Sequence, residues 1–101
     1  MPRVIVVYDV SDNRRRLELA NMLKSYGLVR VQRSMFLGKV SSQTLKDIVR
    51  KASRIIDKQT DVVHIIPITI YAYQHMKVIG TPLASIEEKG VEVVYTSQAG
   101  D

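Results

Sequence analysis

The segment Arg3-Val4-Ile5-Val6-Val7-Tyr8-Asp9-Val10 decides the reading of the fold. Its apolar residues occupy both alternate faces, Val4, Val6 and Tyr8 on one and Ile5 and Val7 on the other, with Asp9 continuing the second set. A strand of this kind is expected to be covered on both sides. Asp12 follows in the position of an N-cap. Leu19, Ala20, Leu23 and Tyr26 then form a helical stripe that stops at Gly27, a residue suited to a left-handed C-terminus. The spacing predicts a helix over residues 13–26.

Residues 29–38 alternate, with Val29, Val31, Met35 and Leu37 on one side and Arg30, Gln32, Ser34 and Phe36 on the other. They read as one second strand with a polar working face. Ser41 or Ser42 caps a second helix, in which Leu45, Ile48, Val49, Ala52, Ile55 and Ile56 keep helical spacing while Lys46, Arg50, Lys51 and Arg54 point away. Residues 61–68 read as a third strand and residues 76–79, before Gly80, as a short fourth. A last strand over 91–95 follows a turn-forming or briefly helical stretch at 85–90.

This order predicts an α+β fold, a ferredoxin-like βαββαβ sandwich with an extra C-terminal strand and both helices on one face of the sheet. Residues 1–80 form the ferredoxin-like domain and 81–101 a C-terminal segment. The helix-free face still carries apolar side chains, so it is expected to pack against a second copy. In that homodimer, packed through sheet faces, the strand at 91–95 pairs with the partner's sheet edge.

A chain of 101 residues supports one such core. It contains no cysteine, which excludes disulfides and thiolate metal sites. The N-terminus does not read as a signal peptide. The apolar-rich stretch 62–73 is broken by His64, Pro67 and Thr69, so no membrane partner is expected and the location expected is cytoplasmic. A net charge of +5 favours a polyanionic partner over an acidic-surface one, although scattered solubilising charge is the bland alternative.

Asp9 ends the first strand on the helix-free side, where it either caps the loop that follows or meets a second Asp9 near a two-fold axis to hold Mg²⁺ or Mn²⁺. Arg14, Arg15 and Arg16 occupy a helix N-terminus, a poor place for cations. They are either a solvated charge run or a phosphate grip, and Arg16 shares the stripe of Leu19, Ala20 and Leu23 and so points toward Asp9. Arg30, Ser34 and Phe36 combine a guanidinium, a hydroxyl and a ring on one face, although a lone Phe is more often core than platform. His64 and His75 lack ligand spacing and read as a strand histidine and a surface histidine. The sequence has no glycine-rich phosphate loop and no Ser/His/Asp arrangement.

At these residues the chain resembles the small CRISPR-associated Cas-two family, partner of the adaptation integrase. The resemblance runs in order through Val-Val-Tyr8-Asp9-Val, Arg16, Tyr26-Gly27-Leu28, Val31-Gln32-Arg33-Ser34-Met35-Phe36 and Val62-Val-His-Ile-Ile-Pro67-Ile. It implies a ferredoxin-like homodimer with metal-dependent endonuclease or endoribonuclease activity on single-stranded RNA or DNA, and a role in spacer acquisition, an antiviral defence. It also implies Asp9 as metal ligand, with Tyr8, Arg16, Arg30, Ser34 and Phe36 around the site. Nucleic-acid contacts are then expected from Arg14, Arg15, Arg16, Arg30 and Arg33. One departure is Glu18, where some relatives carry a second basic residue two positions after the match to Arg16. A non-catalytic DNA-binding scaffold for the integrase is the alternative reading, and a ribonuclease toxin of related fold a third.

Overall fold

The computed structural model describes residues 2–84 and 92–94. The chain opens with β1 (Arg3–Asp9) and α1 (Asn13–Ser25), continues through β2 (Val29–Gln32), β3 (Met35–Lys39) and α2 (Ser42–Ile55), and completes the main sheet with β4 (Val62–Ile68). The four strands lie in the order β2-β3-β1-β4, each antiparallel to its neighbour. That arrangement is the ferredoxin-like βαββαβ sandwich.

Local chemistry sets the element ends. The Asp12 carboxylate accepts from the Arg15 amide at 3.0 Å and caps α1, and Ser41 does the same for α2 through the Thr44 amide. Past α1 the chain turns at Gly27, with φ of +87°, a conformation that a side chain disfavours. Gly38 on β3 is required by closeness instead, because a Cβ there would meet Leu28 Cγ at 3.0 Å.

Residues 29–38 form a hairpin rather than one strand. The chain reverses at Arg33 and Ser34, and the β2–β3 ladder shifts register between Arg30 and Gln32. Neither turn residue is Gly, Asn, Asp or Pro, so the reversal carries only the weak turn signal of Ser34. Because Arg30 opposes Phe36 and Val29 opposes Leu37, the hairpin still sorts most side chains to the faces their alternation assigned. It also supplies the strand the fold needs, so residues 76–79 are not part of the main sheet.

Val4, Val6, Tyr8 and Val10 pack with Phe36 and Val40 under Leu19, Ala20 and Leu23 of α1 and Ile48 and Ala52 of α2. Phe36, Leu19, Leu23 and Ile48 are the largest of the fully buried side chains, each worth about 1.5–3 kcal/mol of burial. The opposite face is not bare. A short helix, α3 (Ile70–Gln74), which the sequence reading did not anticipate, lays Tyr73 against Val31 and Leu37, with Ile5, Met35, Ile68 and Met76 around them. Val7, Val29, Val62 and Ile66 remain exposed.

Beyond α3 come β5 (Lys77–Ile79) and β6 (Glu92–Val94), which pair in parallel with one another in a separate two-stranded sheet. The strand expected near 91–95 is therefore present and finds a partner within its own chain. The turn or helix expected at 85–90 lies outside the described residues.

Candidate functional site

Where β1 ends and α1 begins, a groove of about 500 Å³ opens, lined by Asp9 and Val10, one side of α1 and the β2–β3 turn. Among the described residues four of its lining side chains are cationic, Arg16, Lys24, Arg30 and Arg33, and Asp9 is the one carboxylate. Ser34 adds a hydroxyl.

Each group is held by its neighbours. The Arg16 guanidinium donates from Nη1 to the Val10 carbonyl at 2.6 Å, which draws it across the loop from Asp9. Arg30 donates from Nε to the Arg33 carbonyl at 3.1 Å, and its guanidinium lies over the Phe36 ring. The Tyr8 amide donates to the Ser34 carbonyl at 3.0 Å and pins the hairpin turn to the strand that carries Asp9. The Asp9 side chain is exposed, and its cross-strand partner on β4 is Val62.

Asp9, Arg16, Arg30, Arg33 and Ser34 thus meet in one groove. Tyr8 and Phe36 do not line it. Both are buried in the core with rings stacked 6.3 Å apart, so Phe36 supports Arg30 from behind and presents no face to a base. The Tyr8 hydroxyl is buried without a hydrogen-bond partner among the described residues. Arg14 is exposed and lies outside the groove lining.

Arg15 departs furthest from expectation. Its Nε donates to Asp61 Oδ2 at 2.8 Å, so it is neither a solvated charge nor a groove cation, and the ion pair offsets its poor position at a helix N-terminus. The guanidinium holds the Asp61 carboxyl well below its ordinary value of 3.8, with amides of Asp57 and Ser11 and the Thr60 hydroxyl adding to the effect.

Lys24 was missed by sequence reasoning. The signal was present in the spacing, since Arg16, Ala20 and Lys24 recur every four residues and so share one side of α1. His64 is exposed on the helix-free face opposite Val7. His75 is exposed and stacks on Tyr71 with centroids 4.0 Å apart. No three His, Cys, Asp or Glu side chains converge among the described residues, which bring a single carboxylate, Asp9, to the groove.

The family model for CRISPR associated protein Cas2 matches residues 1–76, a span that takes in β1 through α3 and every residue lining the groove. The chain belongs to the Cas2 family. A Cas2 relative from Archaeoglobus fulgidus, named CRISPR-associated endoribonuclease Cas2 1, is 35% identical over 89% of this chain and 97% of its own length. A Thermoproteus tenax relative is named a CRISPR-associated endonuclease Cas1/endonuclease Cas2 fusion. It is 38% identical over 52% of this chain, which takes up 20% of that longer protein. Among solved structures, Streptococcus pyogenes Cas2 superposes with a TM-score of 0.69 at 28% identity, covering 77% of this chain and 99% of that one. No described helix is long and apolar enough to cross a membrane.

Proposed function

We propose that this Cas2 protein is a metal-dependent endonuclease of single-stranded RNA or DNA, working as a homodimer in spacer acquisition. The observation that carries the reading is one exposed carboxylate, Asp9, at a groove walled by Arg16, Lys24, Arg30 and Arg33. The nuclease names of its relatives point the same way.

The groove residues fit a divalent metal on one condition. Mg²⁺ takes one or two carboxylates and keeps water at its other positions. Asp9 belongs to the helix-free set of β1, and Val7, Val62 and Ile66 of that face are exposed and apolar. A second copy covering them brings a second Asp9 to the same region, and the two carboxylates would hold Mg²⁺ or Mn²⁺. When bound, such a cation lowers the pKa of coordinated water and neutralises phosphate charge.

The chain's own residues do the rest. Lys24 and Arg33 grip the backbone phosphates, Arg16 and Arg30 face the negative charge that builds on the phosphate, and the Ser34 hydroxyl donates to a phosphate oxygen. Cleavage of labelled single- and double-stranded substrates with and without Mg²⁺, wild type beside Asp9→Asn, tests the assignment.

A second reading is favoured by the Thermoproteus tenax fusion, in which a Cas1 and a Cas2 unit share one chain. In it the protein bridges DNA to the adaptation integrase, the cationic groove binds backbone, and Asp9 is structural. Binding without cleavage is its outcome in the same experiment.

A further inference from the structure

The Asp61 carboxylate immediately precedes β4 with no exposed surface on its side chain, and four of the hydrogen bonds it accepts come from Ser11 and Arg15, in and beside the loop that carries the candidate site. Its Oδ1 accepts from the Ser11 amide at 3.1 Å and the Ser11 hydroxyl at 3.2 Å. Its Oδ2 accepts from Arg15 Nε at 2.8 Å, and Arg15 Nη2 reaches Oδ1 at 3.3 Å. The Asp57 amide and the Thr60 hydroxyl complete the shell at 3.0 Å each. Ser11 is two residues beyond Asp9, and Arg15 immediately precedes Arg16.

We infer that the Arg15–Asp61–Ser11 clamp is a positioning device that fixes the β1–α1 loop so that Asp9 and Arg16 reach the groove together. The inference rests on the nuclease reading of the groove. It explains why a fully buried carboxylate is spent where β4 begins, 46 residues from Arg15. A loop of three residues between a strand and a helix has several ways to leave the strand. Two bonds to Ser11 and two to Arg15 from one rigid acceptor select one of them. Neither Arg15 nor Asp61 lines the groove, so they act through Asp9 and Arg16 and are not catalytic residues.

The test compares wild type with Asp61→Asn, Arg15→Gln, the double variant and Asp9→Asn. Each is assayed well below its melting temperature for cleavage of single-stranded RNA across a Mg²⁺ titration. Direct Mn²⁺ binding by electron paramagnetic resonance, and RNA affinity in EDTA, are measured without turnover. The clamp variants are expected to need roughly 10-fold or more higher Mg²⁺ for half-maximal rate, in line with the cost of loosening a ligand's support. They should weaken Mn²⁺ binding to match, leave RNA affinity in EDTA within about twofold for Asp61→Asn, and show the double variant no worse than the worse single. Merely structural residues would lower the melting temperature and leave the Mg²⁺ and Mn²⁺ midpoints where they are, which overturns the inference. Should Asp61→Asn fail to fold, Arg15→Gln at a partly exposed position carries the same test. If Asp9→Asn cleaves as well as wild type, the nuclease reading has failed. If Asp9→Asn is inactive while the clamp variants keep wild-type metal midpoints, the clamp alone has failed.

Discussion

The guanidinium of Arg30 lies over the ring of Phe36, 5.7 Å from its centroid. The two oppose each other across the β2–β3 ladder, so a core aromatic doubles as the floor on which a groove cation rests. Cation–π support of this kind is worth about 0.5–1 kcal/mol where the cation is exposed, far less than the burial of the ring.

Phe36→Ala is therefore expected to cost about 3–5 kcal/mol of stability in urea unfolding. Phe36→Leu should cost less and weaken RNA binding only modestly. A Phe36 that stacks on bases would show the reverse, a large loss of affinity with little change in the unfolding midpoint.

Acid should loosen the protein through Asp61. Its carboxyl titrates well below 3.8 in the folded chain because of the Arg15 guanidinium, so in the window below about pH 5 the unfolded chain binds more protons than the folded one. Stability is complete above that window and falls as pH drops through it. The carboxyls of Asp12 and Asp47 are lowered as well, by the Arg15 amide and the Arg50 side chain respectively, and add in the same direction. Thermal melts from about pH 6 to about pH 3 should show a falling melting temperature, and Asp61→Asn should lower the melt at neutral pH while flattening this dependence. A variant with the wild-type acid slope would contradict the assignment.

The groove cations should be countable by salt. Arg16→Gln, Lys24→Gln, Arg30→Gln and Arg33→Gln are each expected to reduce the slope of log affinity against log salt by roughly 0.7 for single strands. Arg15→Gln should leave that slope unchanged, since its charge is committed to Asp61. A loss at Arg15 as large as that at Lys24 would mean that the phosphate path extends beyond the groove to the N-terminus of α1 and that the Arg15 charge is not committed to Asp61.

Much of this was legible in sequence, and the failures have physical causes. Both faces of β1, the Asp12 and Ser41 caps and the Gly27 stop are local features, and local features can be read from neighbours in the chain. The reversal at Arg33 and Ser34 was hidden because no Gly, Asn or Pro marks it, and the two strands it joins keep one alternating pattern across it. The five-residue α3 is too short to show a period. Arg16 was placed correctly by helical phase, whereas the adjacent Arg15 was misread because its partner lies on β4, a pairing only the folded chain reveals. The resemblance to the family marked Tyr8 and Phe36 as site residues, and the fold puts both behind the groove.

The exposed apolar strip of Val7, Val62 and Ile66 sets the expectation for assembly. The chain should run at twice its 11.4 kDa mass in light scattering at micromolar concentration. Ile66→Arg, which places a charge in the strip, should shift it to monomer without unfolding it. A wild type that stays at 11.4 kDa at the highest concentrations would contradict face-to-face pairing. If Ile66→Arg remains a dimer, the interface lies elsewhere, and deletion of residues 85–101 then tests pairing through the outer edge of β6.

In the proposed nuclease Asp9 serves metal-dependent chemistry while the cations around it bind. Asp9→Asn keeps shape and removes only charge, so the measurement is Mg²⁺-dependent cleavage of labelled single-stranded RNA and DNA together with binding in EDTA, wild type beside Asp9→Asn, purified in parallel. Wild type is expected to cleave only with the metal present, and Asp9→Asn not at all. Both should be dimers, and the variant should bind as tightly as wild type or tighter, because two like charges near the axis no longer repel phosphate. Cleavage by Asp9→Asn at the wild-type rate, or a wild type that binds without cutting any substrate in Mg²⁺ or Mn²⁺, would contradict this role of Asp9.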